Sequence, residues 1–223
     1  MSSDTQEPSQ NLQKYSVGKN GYNTFSIFGP QGSGKTTQLN LLLQNVNAYS
    51  ASVGQILRDN LKNSDNPIYI EASRVMTEGG MVNNDVTDGF LKEYLAAYTK
   101  AGNAEPVLIF DGFPRSLAQI DSLKSLADAY HSEGAKTAII KLDMSFEDAK
   151  KRCMDRAEQN RLAGKEVRAD DTEEAISKRL GIYFDSLEVI LAKYRECGID
   201  VYSFGARDTR EEIHEEILEA LFK

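Results

Sequence analysis

Short apolar runs alternate along the chain with longer segments in which apolar residues recur every three or four positions. The runs predict β-strands at residues 24–28, 106–110, 137–142 and 199–204. The periodic segments predict helices at residues 35–46, 52–62, 70–78, 85–100, 116–130, 145–156, 171–195 and 209–222. Strands that alternate with helices indicate a three-layer α/β fold, in which helices cover both faces of a parallel sheet.

Length and composition indicate one globular domain. The chain has 223 residues, of which 40% are hydrophobic and 27% charged, and it is large enough for one core with small insertions. Residues 1–22 are rich in Ser, Gln, Asn, Gly and Lys, which predicts a flexible N-terminal tail before a domain at 23–223. No apolar run is long enough for a membrane helix, and the N-terminus lacks an apolar signal segment, so we expect a cytoplasmic protein.

Charge and the rarer residues narrow the expected chemistry. A net charge of −8 disfavours nucleic acid as a partner. Cys153 and Cys197 are too few for a disulfide framework and are predicted to be free thiols. His131 and His214 lie in segments typical of surface helices, and no chemistry is assigned to them.

The strongest local signal is the segment from Gly29 to Thr36, GPQGSGKT, which fits the pattern G-x-x-x-x-G-K-[ST]. It lies between a predicted strand and a predicted helix, the context in which this pattern binds nucleotide phosphates. Glycines allow backbone N–H groups to face phosphate oxygens, and Lys35 can reach the β- and γ-phosphates. The Thr36 hydroxyl suits Mg²⁺, and Asp111 suits the acidic partner of that metal, acting through water.

A phosphate-binding loop alone leaves GTPases, ATPases and small-molecule kinases open. The chain has no N-K-x-D segment, with which a GTPase would recognise guanine. From about residue 24 to its end, the chain resembles the adenylate kinases, a branch of the nucleoside monophosphate kinase family. Four blocks carry the resemblance in the family's order: GPQGSGKTTQ, SVGQILR, DGFPRSLAQ, and RCMDR followed by VRADDTEEAISKRL.

The resemblance implies a parallel-sheet core with two mobile inserts and the reaction ATP + AMP ⇌ 2 ADP with Mg²⁺. One insert, at about residues 52–82, would hold the acceptor nucleotide. The other, at about 157–167, would form a lid over ATP. The lid sequence AEQNRLAGKEV contains no Cys or His, so it matches the short form and offers no zinc site. Members of this family are usually monomers, so the resemblance also implies a monomer.

Carried over position by position, the resemblance assigns residues to both nucleotides. The residues expected at ATP are Gly29, Gly32, Ser33, Gly34, Lys35, Thr36, Thr37, Arg152 and Arg156. Those expected at AMP are Val53, Arg58, Met76, Val82, Gly112, Arg115, Gln119, Arg168 and Arg179. The expected catalytic groups are Lys35, Arg115, Arg152, Arg156, Arg168 and Arg179, and the expected metal groups are Thr36 and Asp111. Guanidinium groups suit this task because they keep their charge and match phosphate oxygens.

A pair of acids beside the lid, Asp170 and Asp171, matches the family's pattern. Two roles are open from the residues: ion pairs with arginines, or capping of the helix that follows. We favour the ion-pair and hinge role over that of a catalytic base. The acceptor is a phosphate, which has little to deprotonate near neutral pH.

Several positions depart from the family's pattern. Thr36 stands where the family usually has Gly, and Gln55 replaces a usual acid. Val53 stands where adenylate kinases commonly have Thr or Ser and pyrimidine-specific relatives have Ala. Gln119 matches the family's adenine-recognising glutamine, and Ser116 stands where the pyrimidine-specific relatives have Asn. We therefore expect AMP as the acceptor, with a UMP/CMP kinase and a catalytically inactive nucleotide-binding scaffold as alternatives.

Overall fold

Five parallel strands form one sheet in the order β2-β3-β1-β4-β5. The computed structural model describes residues 15–61, 65–100, 107–131, 134–165, 168–205 and 209–223. The strands are β1 Thr24–Phe28, β2 Ala48–Ser52, β3 Val107–Asp111, β4 Thr137–Asp143 and β5 Asp200–Gly205. The helices are α1 Lys35–Asn45, α2 Val53–Leu61, α3 Pro67–Thr77, α4 Asn84–Lys100, α5 Leu117–Tyr130, α6 Phe146–Leu162, α7 Glu173–Glu196 and α8 Arg210–Leu221.

Helices cover both faces of the sheet, which confirms the predicted three-layer α/β fold. Helices α1 and α8 pack on one face, where Phe25 and Ile27 of β1 point. Helices α2, α3, α4, α5 and α7 bury the opposite face, where Leu108 and Phe110 of β3 point. All five residues of β1 and of β3 are buried. The central strands are therefore apolar in consecutive runs, since neither of their faces meets water.

The carboxyl ends of the strands meet at one edge of the sheet and position the site. In the parallel register, Asp111 lies beside Ile27 of β1 and beside Ser52 of β2. The phosphate-binding segment leaves this edge from β1, and helix α2 leaves it from β2. Strand β1 lies between β3 and β4, so the chain turns to opposite sides of β1, a point at which α/β sheets open a crevice.

Strand β2 was missed by the sequence prediction, which has no strand at residues 48–52. Its sequence, AYSAS, contains no continuous apolar run, and only Ala51 is fully buried. The strand forms at the edge of the sheet by pairing with β3, from Ala48 beside Val107 onward. Tertiary pairing, rather than local propensity, therefore creates this element.

The prediction that helix α6 ends at residue 156 was wrong. The helix continues to Leu162 and so includes the first half of the segment expected to form the lid. This segment, AEQNRL, consists mostly of good helix formers. The helix stops where Gly164 adopts a positive φ of 62°, and Lys165 N donates to Asn160 O across the last turn. Residues 166–167 of the expected lid lie outside the described residues.

Residues 15–22, assigned to the tail from composition, pack against the domain. Tyr15 N donates to Asn45 O at 3.1 Å, and Asn47 N donates to Tyr15 O at 2.7 Å. The Tyr22 side chain is buried. The boundary at residue 22 therefore falls inside the packed domain, and residues 1–14 lie outside the described residues.

Both histidines are buried, which corrects their assignment to the surface. His131 Nε2 lies 3.1 Å from Thr24 Oγ1, and His214 Nε2 lies 3.1 Å from Asn45 Nδ2. Burial lowers the pKa of His214. Each histidine therefore packs against the domain, away from the strand ends that carry the site. In the described part of the chain, no helix is both long and apolar enough to cross a membrane.

Candidate active site

The loop between β1 and α1 has the backbone shape that the phosphate-binding pattern predicts. Gly34 caps α1 with φ of 93°, and Gly32 has φ of 88°. A Cβ on Gly32 would lie 2.8 Å from the Ala149 carbonyl oxygen of helix α6. Larger residues would therefore push the loop away from α6. The N-terminus of α1 points its free N–H groups into the loop, which suits an anion.

The Lys35 amine folds back over this loop. Its Nζ donates to the carbonyl oxygens of Gly29 at 2.9 Å and Pro30 at 2.7 Å. Burial lowers the pKa of Lys35 to about 8, and the nearby Arg115 acts in the same direction, while the Asp111 carboxylate opposes both. In the described part of the chain, no carboxylate lies within ion-pair distance of this amine, so a bound phosphate would add a closer counter-charge.

Two hydroxyl groups meet the carboxylate at the end of β3. Thr36 Oγ1 donates to Asp111 Oδ2 at 2.9 Å, and Ser52 Oγ donates to the same oxygen at 3.3 Å. Hydroxyl and carboxylate oxygens are hard ligands of the kind that Mg²⁺ prefers, and Mg²⁺ sites at phosphates use few protein ligands. The residues therefore fit the predicted metal. Among the described residues, no group of three or more His, Cys, Asp or Glu converges on a metal site.

A cavity of about 450 Å³ opens beside the loop and reaches helices α2, α3, α5 and α7. All nine residues predicted at AMP line it: Val53, Arg58, Met76, Val82, Gly112, Arg115, Gln119, Arg168 and Arg179. Gly29, Lys35, Thr36 and Asp111 line the same cavity. The structure therefore brings the predicted acceptor residues and the phosphate-binding loop to one space.

Arg115 and Gln119 are held together at the start of α5. Arg115 N donates to Gln119 Oε1 at 2.7 Å, and Arg115 Nε donates to the Gly112 carbonyl oxygen at 2.6 Å. A Cβ on Gly112, whose φ is 74°, would lie 2.6 Å from the Arg115 guanidinium. The carbonyl end of Gln119 is therefore used inside the protein, and its amide N–H groups are the end that can serve a ligand.

Several guanidinium groups converge on the cavity and act on one another. Desolvation lowers the pKa of Arg115, and the nearby Arg179 adds to this effect. Desolvation also lowers the pKa of Arg58, and Arg168 and Arg179 act in the same direction. Arg115 remains open to the cleft, yet the surrounding protein and charges disfavour its cation. Such a cluster is costly when empty and favours polyanionic ligands.

The remaining residues predicted at ATP lie beside the cavity rather than in its wall. Gly32, Ser33, Gly34, Thr37, Arg152 and Arg156 are the predicted residues outside the wall. Thr37 and Arg152 are exposed, and the Arg152 Cβ would lie 3.5 Å from a Cβ on Gly32. Arg156 NH2 pairs with Asp171 Oδ1 at 2.7 Å, and Arg179 NH2 pairs with Asp170 Oδ2 at 2.7 Å. The acids therefore pair with arginines, while Thr172 caps helix α7.

Two residues of the site were missed by the sequence analysis. Gln31 in the phosphate-binding loop bonds to both Arg179 and Asp171. Ser52 bonds to Asp111, as described above. The role of neither residue can be predicted from its type, because amide and hydroxyl side chains are common in loops. Only the position of Gln31 inside the phosphate-binding pattern could have drawn attention to it.

Comparison with known proteins agrees with this geometry. A sequence model of the adenylate kinase family matches residues 27–199. An adenylate kinase of Micrococcus luteus is 32% identical over 197 residues, which cover 88% of this chain and 89% of that protein. Adenylate kinases of Leptospira biflexa and Prochlorococcus marinus are 32% and 31% identical, over 87% and 83% of this chain and 97% and 90% of those proteins. Since these similarities span both the phosphate-binding loop and the cavity, this chain belongs to the adenylate kinase family.

Proposed function

We propose that this protein catalyses the reversible transfer of a phosphoryl group from ATP to AMP, which yields two molecules of ADP. One observation carries the proposal: a single cavity is lined both by the phosphate-binding loop and by a set of arginines. Lys35 and Thr36 line it together with Arg58, Arg115 and Gln119. Direct transfer between two nucleotides requires donor and acceptor sites that share one space.

Each group has a role that follows from its chemistry. The loop N–H groups and Lys35 bind the donor phosphates, while Arg58 and Arg115 bind the AMP phosphate. Arg168 and Arg179 neutralise the charge of the transferring group. The AMP phosphate is already ionised near neutral pH, so no general base is required. Catalysis therefore consists of positioning and charge neutralisation.

In the described structure, two arginines of the predicted site, Arg156 and Arg179, are paired with acids. Arg156 and Arg179 hold Asp171 and Asp170, and nucleotide phosphates would replace these carboxylates as partners. Thr36 and Asp111 would hold Mg²⁺, which supplies further neutralisation of the donor phosphates. Closure of the segments at 52–82 and 157–167 would exclude water, which would otherwise hydrolyse ATP. A monomeric state, which rests on the family resemblance, and a cytoplasmic location, which is expected from the sequence, are part of the proposal.

A coupled assay of the purified protein tests the function directly. ATP with Mg²⁺ is supplied together with AMP, UMP, CMP, GMP or dTMP in turn. We expect turnover to be fastest with AMP, and Lys35→Ala to lower kcat by about two decades or more while the protein stays folded. Preference for UMP or CMP would instead support a pyrimidine nucleotide kinase. Nucleotide binding without transfer to any acceptor would support a scaffold.

The base pocket gives a second test, which concerns Gln119. Its carbonyl oxygen is occupied by Arg115 N, so its amide N–H groups are left to recognise adenine. Gln119→Ala should raise the KM for AMP by about tenfold or more, in line with a loss of ~1–3 kcal/mol, and should change the KM for ATP little. The exposed Gln44 provides the control, Gln44→Ala. An equal rise in both KM values would place Gln119 outside the acceptor pocket.

A further inference from the structure

We propose that Gln31 is a positioning residue for phosphoryl transfer: it fixes Arg179 relative to the phosphate-binding loop and holds Asp171, the partner of Arg156, in place. The inference rests on the proposed function and names a group that acts on its arginines. Gln31 Oε1 accepts from Arg179 NH1 at 2.7 Å. Gln31 Nε2 donates to Asp171 Oδ1 at 3.2 Å.

The amide is suited to this place because its two ends have opposite hydrogen-bonding sense. One end must accept from a guanidinium, and the other must donate to a carboxylate. A carboxylate at this position would repel Asp171, whereas an ammonium would repel Arg179. A neutral amide serves both partners and leaves the positive charge of the arginines unreduced.

Arg179 shows what the contact with Gln31 contributes. Three acceptors hold its guanidinium: Gln31 Oε1, Asp170 Oδ2 at 2.7 Å, and the Met76 carbonyl oxygen at 3.3 Å. Met76 lies on helix α3, and Asp170 lies just before helix α7. Of the three, only Gln31 belongs to the loop that would hold the donor phosphates. The Gln31 bond therefore sets the distance between this guanidinium and the phosphate-binding loop.

Asp171 shows why the other end of the amide matters. Its side chain is fully buried, and its Oδ1 receives both Arg156 NH2 at 2.7 Å and Gln31 Nε2. Among the described residues, neither its Oδ2 nor the Arg156 Nε has a hydrogen-bond partner, although both atoms are buried. An incompletely bonded buried pair is costly, so Arg156 can leave it for a nucleotide phosphate. Gln31 then keeps a donor on the buried carboxylate and holds Asp171 in place.

The experiment measures single-turnover phosphoryl transfer by rapid quench, in wild type, in Gln31→Met and in the control Gln44→Met. Methionine keeps the length of the side chain and removes both hydrogen bonds. We expect Gln31→Met to slow transfer by about tenfold or more and to change the dissociation constant of AMP by less than about threefold. Gln44→Met, on the exposed side of helix α1, should transfer at the wild-type rate.

A double-mutant cycle with Arg179→Met separates positioning from support of the loop. If Gln31 acts through Arg179, Gln31→Met should cost less than about twofold in the Arg179→Met background. Equal losses in both backgrounds, or a Gln31→Met rate within about twofold of wild type, would overturn the inference. Gln31→Ala provides the same comparison if the methionine variant folds poorly. Failure of the wild type to transfer phosphate would contradict the proposed function itself, and so is distinguishable.

Discussion

Single residues in the cleft differ in how their charge is compensated. Arg156 and Arg179 pair with buried acids, whereas Arg58 NH2 donates to the neutral Gln55 Oε1 at 3.1 Å. Gln55 stands where the resemblance leads one to expect an acid. An amide can orient a guanidinium without neutralising it. The substitution therefore leaves the charge of Arg58 available to an acceptor phosphate.

Lys35 carries a prediction about protons. Burial lowers its pKa to about 8 in the empty protein, so near pH 8 about half of the amines are neutral. A bound phosphate favours the ammonium and raises this pKa, so ATP binding should take up a fraction of a proton at pH 8 and almost none at pH 6 from this group. Calorimetry in two buffers of different ionisation enthalpy measures the uptake. Lys35→Ala should abolish it, and persistence of the uptake in that variant would assign it to another group.

Gly79 marks a close approach between the end of helix α3 and the start of helix α7. Gly79, just after α3, has φ of 74°, and a Cβ there would lie 2.2 Å from the Ala175 carbonyl oxygen in the first turn of α7. The end of the segment at residues 52–82 therefore lies directly against the backbone of helix α7, which carries Arg179. Gly181, farther along α7, has open space around its Cα.

These two glycines predict opposite effects of the same substitution. Gly79→Ala should lower the free energy of unfolding by more than about 1 kcal/mol, because the methyl group clashes and φ is strained. It should also raise the KM for AMP. Gly181→Ala should raise the free energy of unfolding by about 0.5–1 kcal/mol, since alanine favours a helix interior. Urea denaturation of both variants checks the pair, and a neutral Gly79→Ala would contradict the described packing.

On the scale of the whole molecule, the cleft lies at one edge of a rigid sheet. Strands β1 and β3 are completely buried and fix the phosphate-binding loop beside Asp111. The two predicted inserts instead carry exposed large apolar side chains, namely Ile68 and Ile70 on α3 and Leu162 at the end of α6. Segments that are less buried than the sheet can move more easily than it can, so this arrangement favours closure of the segments around bound ligands.

An analogue that joins two adenosines through five phosphates tests this division. It would fill both nucleotide sites at once, so it should bind much more tightly than ATP or AMP alone. Hydrogen exchange should show new protection in α2, in α3 and at the end of α6, with little change in β1 and β3. Weak binding, or protection confined to the strands, would argue against a transferase that closes at two segments.

Features set by neighbouring residues were predictable from the sequence. The shape of the phosphate-binding loop depends on glycines within eight consecutive positions, so the local sequence is enough to predict it. The buried strands appear as apolar runs, and the caps of α5, α6 and α8 lie at the predicted starts. The nine acceptor residues came from the family resemblance. The cavity gathers them, while their role at AMP stays a prediction.

Tertiary structure decided the features whose partners are distant along the chain. Strand β2 has little strand pattern of its own and forms against β3, from which it is separated by two helices of the acceptor segment and by α4. Gln31 lies 140 positions from Asp171 and 148 from Arg179, and Ser52 lies 59 from Asp111. An amide or a hydroxyl has no preferred partner in the sequence, because its hydrogen bonds are satisfied equally well by water in the unfolded chain. Folding removes that water and brings one donor, from Arg179, to the carbonyl end of Gln31 and one acceptor, on Asp171, to its amide end. These two contacts make Gln31 part of the site.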